Sequence, residues 1–333
     1  MTTIQWGEIN GDLLIPHWID IPSVHNTNQA QRHQAGIEAT LAAMHLRMVG
    51  LVAPTLRDAN ARRPTAATAA TVHLNAAGRR IRARLALHAG EALGMADTDA
   101  VSLAAAAELL HNASLVHDDI QDRTVTRRGE DAIWLAFGTD IALCAGDLML
   151  SAAYAALADL STTARVPALI RLVHDRTGDA IRGQSADLAV RSSAELSVEE
   201  YSAIAAAKSG ALLGLPLELV FIAVGDDGAA VHARLAATHF AIAYQIADDI
   251  VDLADDLRAV KPALNIVQVL GGGGVAIVQA RSLGLAYLNS AAGLALDLPR
   301  GAGALLYDLV LRLSDSLSIV ETSVGAVPVV AGP

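Results

Sequence analysis

Apolar residues recur every three to four positions along most of this chain, the spacing of one buried helical face. In 31–61 the set is Ile37, Leu41, Met44, Leu46, Met48 and Leu51, interrupted near Pro54, which predicts one helix and the start of another. After a break at Pro64 and Thr65, 66–90 predicts a helix or helix pair that carries a basic cluster. A second break over 94–99 leads into 100–120, an almost uninterrupted Ala/Leu run. A surface helix would show more polar positions, so this one is expected to be central and buried on most sides. The chain turns at Arg127-Arg128-Gly129 and then reads helical over 133–160 and 166–189.

Ser197 followed by Glu199 and Glu200 reads as an N-cap with acidic first-turn residues, both favourable at a helix start. Helix is expected to continue from there past Asp249, with breaks at Gly214-Leu215-Pro216 and over 225–228. The glycines of 271–274 mark a loop, and two further helices are expected to fill 275–320. Residues 1–30, with Gly7, Gly11, Pro16 and Pro22 and no sustained period, read as an irregular arm, and 325–333 as a frayed tail. No repeat, linker or composition shift divides 31–324, so the expectation is an all-α, single-domain bundle of ten or more helices.

Composition agrees with that picture: aromatics are only 3% of the 333 residues, and no β-branched alternation is sustained. A net charge of -11 argues against a surface that tracks nucleic-acid phosphates, so an anionic substrate needs a local basic patch or a bridging cation. The single cysteine, Cys144, excludes an internal disulfide and fits a reducing cytoplasm. It lies in the apolar run 141–145 and is expected to be a small core residue. The N-terminus shows neither the basic start nor the apolar run of a secretory signal. No transmembrane segment is expected, because the longest uncharged stretch, 262–280, contains Asn265, Gln268, Gln279 and four consecutive glycines.

Two acidic clusters change the picture from fold to chemistry: Asp118-Asp119-Ile120-Gln121-Asp122 and Asp248-Asp249-Ile250-Val251-Asp252. Each places two carboxylates four residues apart, hence on one helical face, where they repel unless a cation lies between them. Hard oxygen donors point to Mg²⁺, which commonly completes its octahedron with water and substrate phosphate. Strong cations lie near in sequence: Arg127 and Arg128, and the earlier group Arg79, Arg80, Arg82 and Arg84. Guanidinium forks match phosphate oxygens, so carboxylates, metal and arginines together describe a diphosphate site.

The stretch 109–122, with His111, His117 and the first aspartates, followed by Arg127-Arg128-Gly129, resembles the first aspartate-rich region of the trans-isoprenyl diphosphate synthases. The stretch 240–249, with Gln245 before Asp248 and Asp249, is similar to their second such region. Gly78-Arg79-Arg80-Ile81-Arg82 resembles the family's early Gly-Lys-Arg segment, and Gly183-Gln184 with Asp187-Leu188 a central helix motif. The resemblance spans 77–264 and implies a helical bundle whose cavity is lined by two aspartate-rich helices. It implies a homodimer that joins isopentenyl diphosphate to an allylic diphosphate (dimethylallyl, geranyl or farnesyl) by ionising the allylic bond.

The same resemblance implies the residue roles. Asp118, Asp122 and Asp248 would hold three Mg²⁺ ions with substrate bound, and Asp119, Asp249 and Asp252 would act behind them or through water. Arg127 would grip the allylic diphosphate. Arg128, with Arg79, Arg82 and His111, would take the isopentenyl diphosphate. Lys208, Ser209 and Gln245 would line the allylic group and face the carbocation, and His117 would orient an aspartate. Arg79 stands where the family usually has lysine, and Ala83 where it often has proline. The loop after Asp252 is short, so only Lys261 is proposed there as an allylic ligand.

Product length is expected to be set on the helix before Asp118, by Ala113 and Ser114. A bulky aromatic five residues before the first aspartate often stops the family at farnesyl diphosphate; Ala113 leaves that floor open and favours geranylgeranyl diphosphate. The alternatives are a farnesyl or longer-chain synthase, a terpene cyclase of the same fold, a non-catalytic partner subunit, and a helical Mg²⁺-dependent diphosphate hydrolase.

Overall fold

The computed structural model describes residues 28–53, 64–76, 78–190, 196–256 and 264–319. They form an all-α bundle, as the 3.6-residue period predicts. The helices are α1 (Asn28–Val52), α2 (Ala66–Asn75), α3 (Ile81–Leu93), α4 (Asp97–Asp122), α5 (Ile133–Phe137), α6 (Thr139–Ala156) and α7 (Val166–Val190). They continue with α8 (Val198–Ala205), a π turn at Ala206–Gly210, α9 (Ala211–Val224), α10 (Asp227–Asp256), α11 (Ile266–Val269), α12 (Gly273–Leu296) and α13 (Ala304–Ile319). The proposed arm, the tail and Lys261 lie outside the described residues.

Helix α4 is the axis. Every residue from 99 to 113 is buried, and the alanines at 104–107 let α1, α3, α6 and α9 approach closely. After α4 the chain reverses through a two-residue hairpin, β1 (Thr126–Arg127) with β2 (Glu130–Asp131), paired Thr126 to Asp131 and Arg127 to Glu130. Arg128 and Gly129 take positive φ (55° and 81°) at the turn, which brings Arg127 back beneath the end of α4.

Four expectations are corrected. No break occurs at Gly214-Leu215-Pro216: α9 runs through Pro216, and residues 211–221 are all buried. An interior proline costs about 3 kcal/mol, but each buried Leu, Val or Phe returns about 1.5–3 kcal/mol, so packing holds the helical path. The expected 133–160 helix instead breaks at Gly138 (φ 87°) and ends at Ala156. The 225–228 break shrinks to Gly225 and Asp226. Cys144 is exposed beside Leu143 on the outer face of α6, not in the core. The apolar stretch Val198–Val224 is long enough to cross a membrane, yet it lies mostly buried inside the bundle.

Candidate active site

The last turns of α4 split the first acidic cluster between two surroundings. Asp118 faces a cavity, and burial pushes its carboxyl up to about 6; Lys208 opposes that shift, Asp122 adds to it, Arg127 opposes it and Asp119 adds to it. Asp119 turns the other way, is 1% exposed, and accepts from Arg127 Nε at 2.9 and 2.8 Å on its two oxygens. Two nitrogens of Arg127 are thereby committed to Asp119, and only Nη1 is buried without a partner. The expectation that Arg127 grips an allylic diphosphate therefore narrows to that one nitrogen. The hairpin is pinned by Trp134, whose Nε1 donates to the Thr124 carbonyl at 2.6 Å, and by Arg123 over the Trp134 ring.

The second cluster on α10 divides in the same way. Asp249 is 3% exposed and accepts from the Tyr201 hydroxyl (2.8 Å), Gln245 Nε2 (2.9 Å) and the Ile266 N–H (2.7 Å). Asn265 Nδ2 donates to its backbone carbonyl at 2.7 Å. Burial holds the Tyr201 phenol well above its usual value, with the charges of Asp249, Asp248 and Asp187 adding, so it stays a donor. Asp248 and Asp252 line a cavity of about 150 Å³ together with Asp249 and Tyr201 and with Asp187, Lys208 and Gln245. In both clusters the second aspartate is held by side-chain or backbone donors: Asp119 by Arg127, and Asp249, at the edge of its cavity, by Tyr201, Gln245 and Ile266.

Lys208 borders this cavity and a larger apolar one, and its Nζ donates to Asp187 Oδ2 at 2.8 Å. It stands on the π turn, which packs against α7 at Gly183. A Cβ there would lie 2.3 Å from the Lys208 backbone nitrogen, so only glycine permits the approach. Ser209 shares the π turn but lies outside the lining of both cavities. The larger cavity, about 330 Å³, begins at Asp118 and runs past Ser114 and Ala113 to Leu110, Leu150 and Leu212. Ser114 Oγ donates to the His111 carbonyl at 2.8 Å. His117 leans towards α6: its Nε2 lies 3.3 Å from the Leu143 carbonyl and 3.6 Å from Asp147 Oδ1, over Gly146, so the aspartate it reaches here is Asp147.

A basic cluster lies two turns earlier along α4, around His111, which stands seven residues before Asp118. His111 and Arg82 are buried, and burial drives the His111 pKa well below its usual value, reinforced by Arg82, Arg128, Arg127 and His73. Arg128 lays its guanidinium over Gly78, where a Cβ would fall 2.9 Å from Cζ. Arg79 is half-buried, and its carbonyl accepts from Arg84 Nε at 3.2 Å. The structure thus gathers the predicted Arg82, His111 and Arg128 around one neutral imidazole.

Sequence reading missed Asp187, Tyr201, Asn265, His73 and Glu108 as contributors. Asp187 lay in a recognised motif without a role, and the others carry no local signal. Among the described residues, no three His, Cys, Asp or Glu side chains converge into a ready-made metal cage. The carboxylates nevertheless fit a divalent ion that keeps water and substrate in its shell: the Asp122 charge raises the Asp118 pKa, and the positive charges of Lys208 and Arg127 oppose that rise.

Two aspartate-bearing helices, an apolar cavity at one pair and a separate basic cluster define an isoprenoid-synthase type of helical bundle. The polyprenyl synthetase family matches residues 64–264, and the chain belongs to that family. It is 34% identical over 214 residues to the (2E,6E)-farnesyl diphosphate synthase of Mycobacterium tuberculosis, covering 61% of this chain and 59% of that one. To the geranylgeranyl diphosphate synthase of the same organism it is 30% identical over 236 residues, 71% of this chain and 62% of that one. The chain therefore spans less than two thirds of the length of these curated relatives. The geranylgeranyl pyrophosphate synthetase structure from Geoglobus acetivorans superposes with a TM-score of 0.74 at 21% identity, over 84% of this chain and 99% of that one, and shows the shared fold.

Proposed function

We propose that this chain is a Mg²⁺-dependent trans-prenyltransferase that condenses isopentenyl diphosphate with an allylic diphosphate. The observation that carries the reading is the presence along α4 of two distinct sets of anion-binding residues. Asp118 and Lys208 line the apolar cavity, and Arg82 and Arg128 gather around His111, two turns earlier on α4 and outside that cavity's lining. A terpene cyclase has use for the first subsite only.

In this reading Asp118, Asp122 and Asp248 would hold Mg²⁺, which when bound supplies positive charge to a departing diphosphate. Lys208, tethered by Asp187, places its ammonium where the allylic diphosphate leaves the mouth of the apolar cavity. The Gln245 amide donates to Asp249, which turns its carbonyl oxygen elsewhere and leaves it available to a nearby cation. His111, neutral and ringed by arginines, orients the second diphosphate by hydrogen bonding. The apolar walls keep water from the carbocation.

Relatives in the family carry names with different product lengths: farnesyl, geranylgeranyl, geranylfarnesyl and nonaprenyl diphosphate synthases. Ala113 at the wall of the larger cavity supports geranylgeranyl diphosphate for this chain. A cytoplasmic homodimer belongs to the same proposal, supported by the lone cysteine and by the exposed Leu135, Leu143 and Cys144. The test is incubation of purified protein with Mg²⁺, labelled isopentenyl diphosphate and each allylic starter. Label in a C20 chain is the expected result; phosphate release without label in any prenyl chain would overturn the reading.

A further inference from the structure

Building on the two-substrate reading above, we infer that Glu108 is a positioning residue for the isopentenyl diphosphate subsite, acting by capping α3 from the neighbouring helix α4. Helix α3 has no side-chain cap of its own: Arg80, its N-cap, is left-handed (φ 52, ψ 43) and makes no capping side-chain hydrogen bond. A cap ordinarily accepts from the N–H of the second or third helical residue. Here the third is Ala83, and its N–H donates to Glu108 Oε1 at 2.9 Å. Glu108 is 3% exposed, and its backbone carbonyl accepts from Asn112 Nδ2 at 2.7 Å. His111 lies three residues further along the same helix, so one face of α4 bears both the cap and the subsite histidine.

The capped turn is the one that carries the subsite cations. Arg79 and Arg82 flank Arg80, whose Nη2 lies 2.9 Å from His45 Nδ1, while Arg84 Nε holds the Arg79 carbonyl at 3.2 Å. Glu108 is the one contact among these that fixes the helix start itself, and a carboxylate at a helix N-terminus is doubly favourable there. It also offsets, for Arg80, the repulsion of Arg128 and Arg84. The contact depends on the residue this chain has at 83, because a proline has no N–H to donate. Removing Glu108 frees the left-handed Arg80 and lets Arg82 swing away from His111. Neither Glu108 nor Ala83 lines the cavities at Asp118 and Asp248, so the allylic side has no share in this contact.

The experiment compares Glu108→Ala, Glu108→Gln and wild type in two-substrate kinetics, with isopentenyl diphosphate binding measured in parallel by calorimetry. Loss of a buried hydrogen bond to a charged group predicts a rise of about 10-fold to 100-fold in the KM for isopentenyl diphosphate with Glu108→Ala. The allylic KM and kcat are expected to stay within about threefold, and Glu108→Gln, which keeps the Oε1 acceptor, to restore the isopentenyl KM. Should Glu108→Ala not fold, Ala83→Pro deletes the same bond from the donor side in a first turn that tolerates proline, and the same split is expected. Both KM values rising together, neither rising, or Glu108→Gln failing like Glu108→Ala would overturn the inference. If wild type makes no prenyl product, the prenyltransferase reading fails by itself. Calorimetry then still decides this inference: weaker binding in Glu108→Ala upholds it, and unchanged or absent binding overturns it.

Discussion

Asp119 and Arg127 form a buried two-point ion pair, with Nε 2.9 and 2.8 Å from the two carboxylate oxygens, although Asp119 adjoins an aspartate that faces the cavity. Breaking such a pair by removing one partner leaves an uncompensated buried charge and costs about 3–5 kcal/mol. Asp119→Ala is therefore expected to lower the denaturant midpoint sharply. Asp118→Ala is expected to keep the fold and its helix content but to abolish condensation. Urea titration, circular dichroism and the turnover assay on both variants check the contrast; equal stability loss in the two would contradict it.

The pH dependence of Asp118 follows from its raised pKa. The folded, metal-free protein holds a proton on this carboxyl up to about pH 6, whereas the unfolded chain releases it near 3.8. Between those values the folded state binds more protons, so this group's contribution to stability falls as pH rises through the window and stays lost above it. Asp118→Asn removes that penalty and is expected to stabilise the metal-free protein at pH 7 by about 2 kcal/mol, less than the full shift because solvent reaches the group. The advantage should vanish near pH 4, and added Mg²⁺ should stabilise wild type but not the variant. Unfolding curves at the two pH values, with and without Mg²⁺, test this.

Gly183 is where α7 meets the π turn that carries Lys208. A methyl group placed 2.3 Å from the Lys208 nitrogen must push the turn away from Asp187. A displacement of about 1 Å in a positioned group costs on the order of 100-fold in rate. Gly183→Ala is expected to lower kcat by that order while leaving helix content unchanged, as turnover and circular dichroism would read. A variant of wild-type activity would mean that Lys208 does no work in the reaction.

Much of this arrangement was legible because helical periodicity and paired carboxylates are local signals. Four-residue spacing puts Asp118 with Asp122, and Asp248 with Asp252, on shared faces whatever the tertiary fold. Spacing does not say which way Asp119 and Asp249 turn, since their partners Arg127 and Tyr201 arrive from a hairpin and from a distant helix. Pro216 misled for the opposite reason: its local preference was outweighed by burial around all of α9. Cys144 misled because an apolar run on a helix does not reveal which of its members faces outward. Glu108 reads as a stray charge in an Ala/Leu run until Ala83 is found opposite it.

Ala113 lies five residues before Asp118, about 7.5 Å along the helix axis, and Leu110 lies about 12 Å away. Both line the 330 Å³ cavity, with Ser114 between them and Asp118, and Ala113 is 2% exposed. A prenyl tail anchored by its diphosphate near Asp118 and Lys208 must pass Ala113 before it reaches Leu110, Leu150 and Leu212. A phenylalanine ring at 113 would fill the cavity midway and leave the ionising end untouched. Ala113→Phe is therefore expected to shorten the main product by at least one isoprenoid unit while keeping turnover of the shortest allylic starter. Chromatographic sizing of the dephosphorylated products checks it. An unchanged chain length with normal turnover would move the floor beyond Ala113, towards Leu110, Leu150 and Leu212, and Leu150 and Leu212 would then be the positions to enlarge.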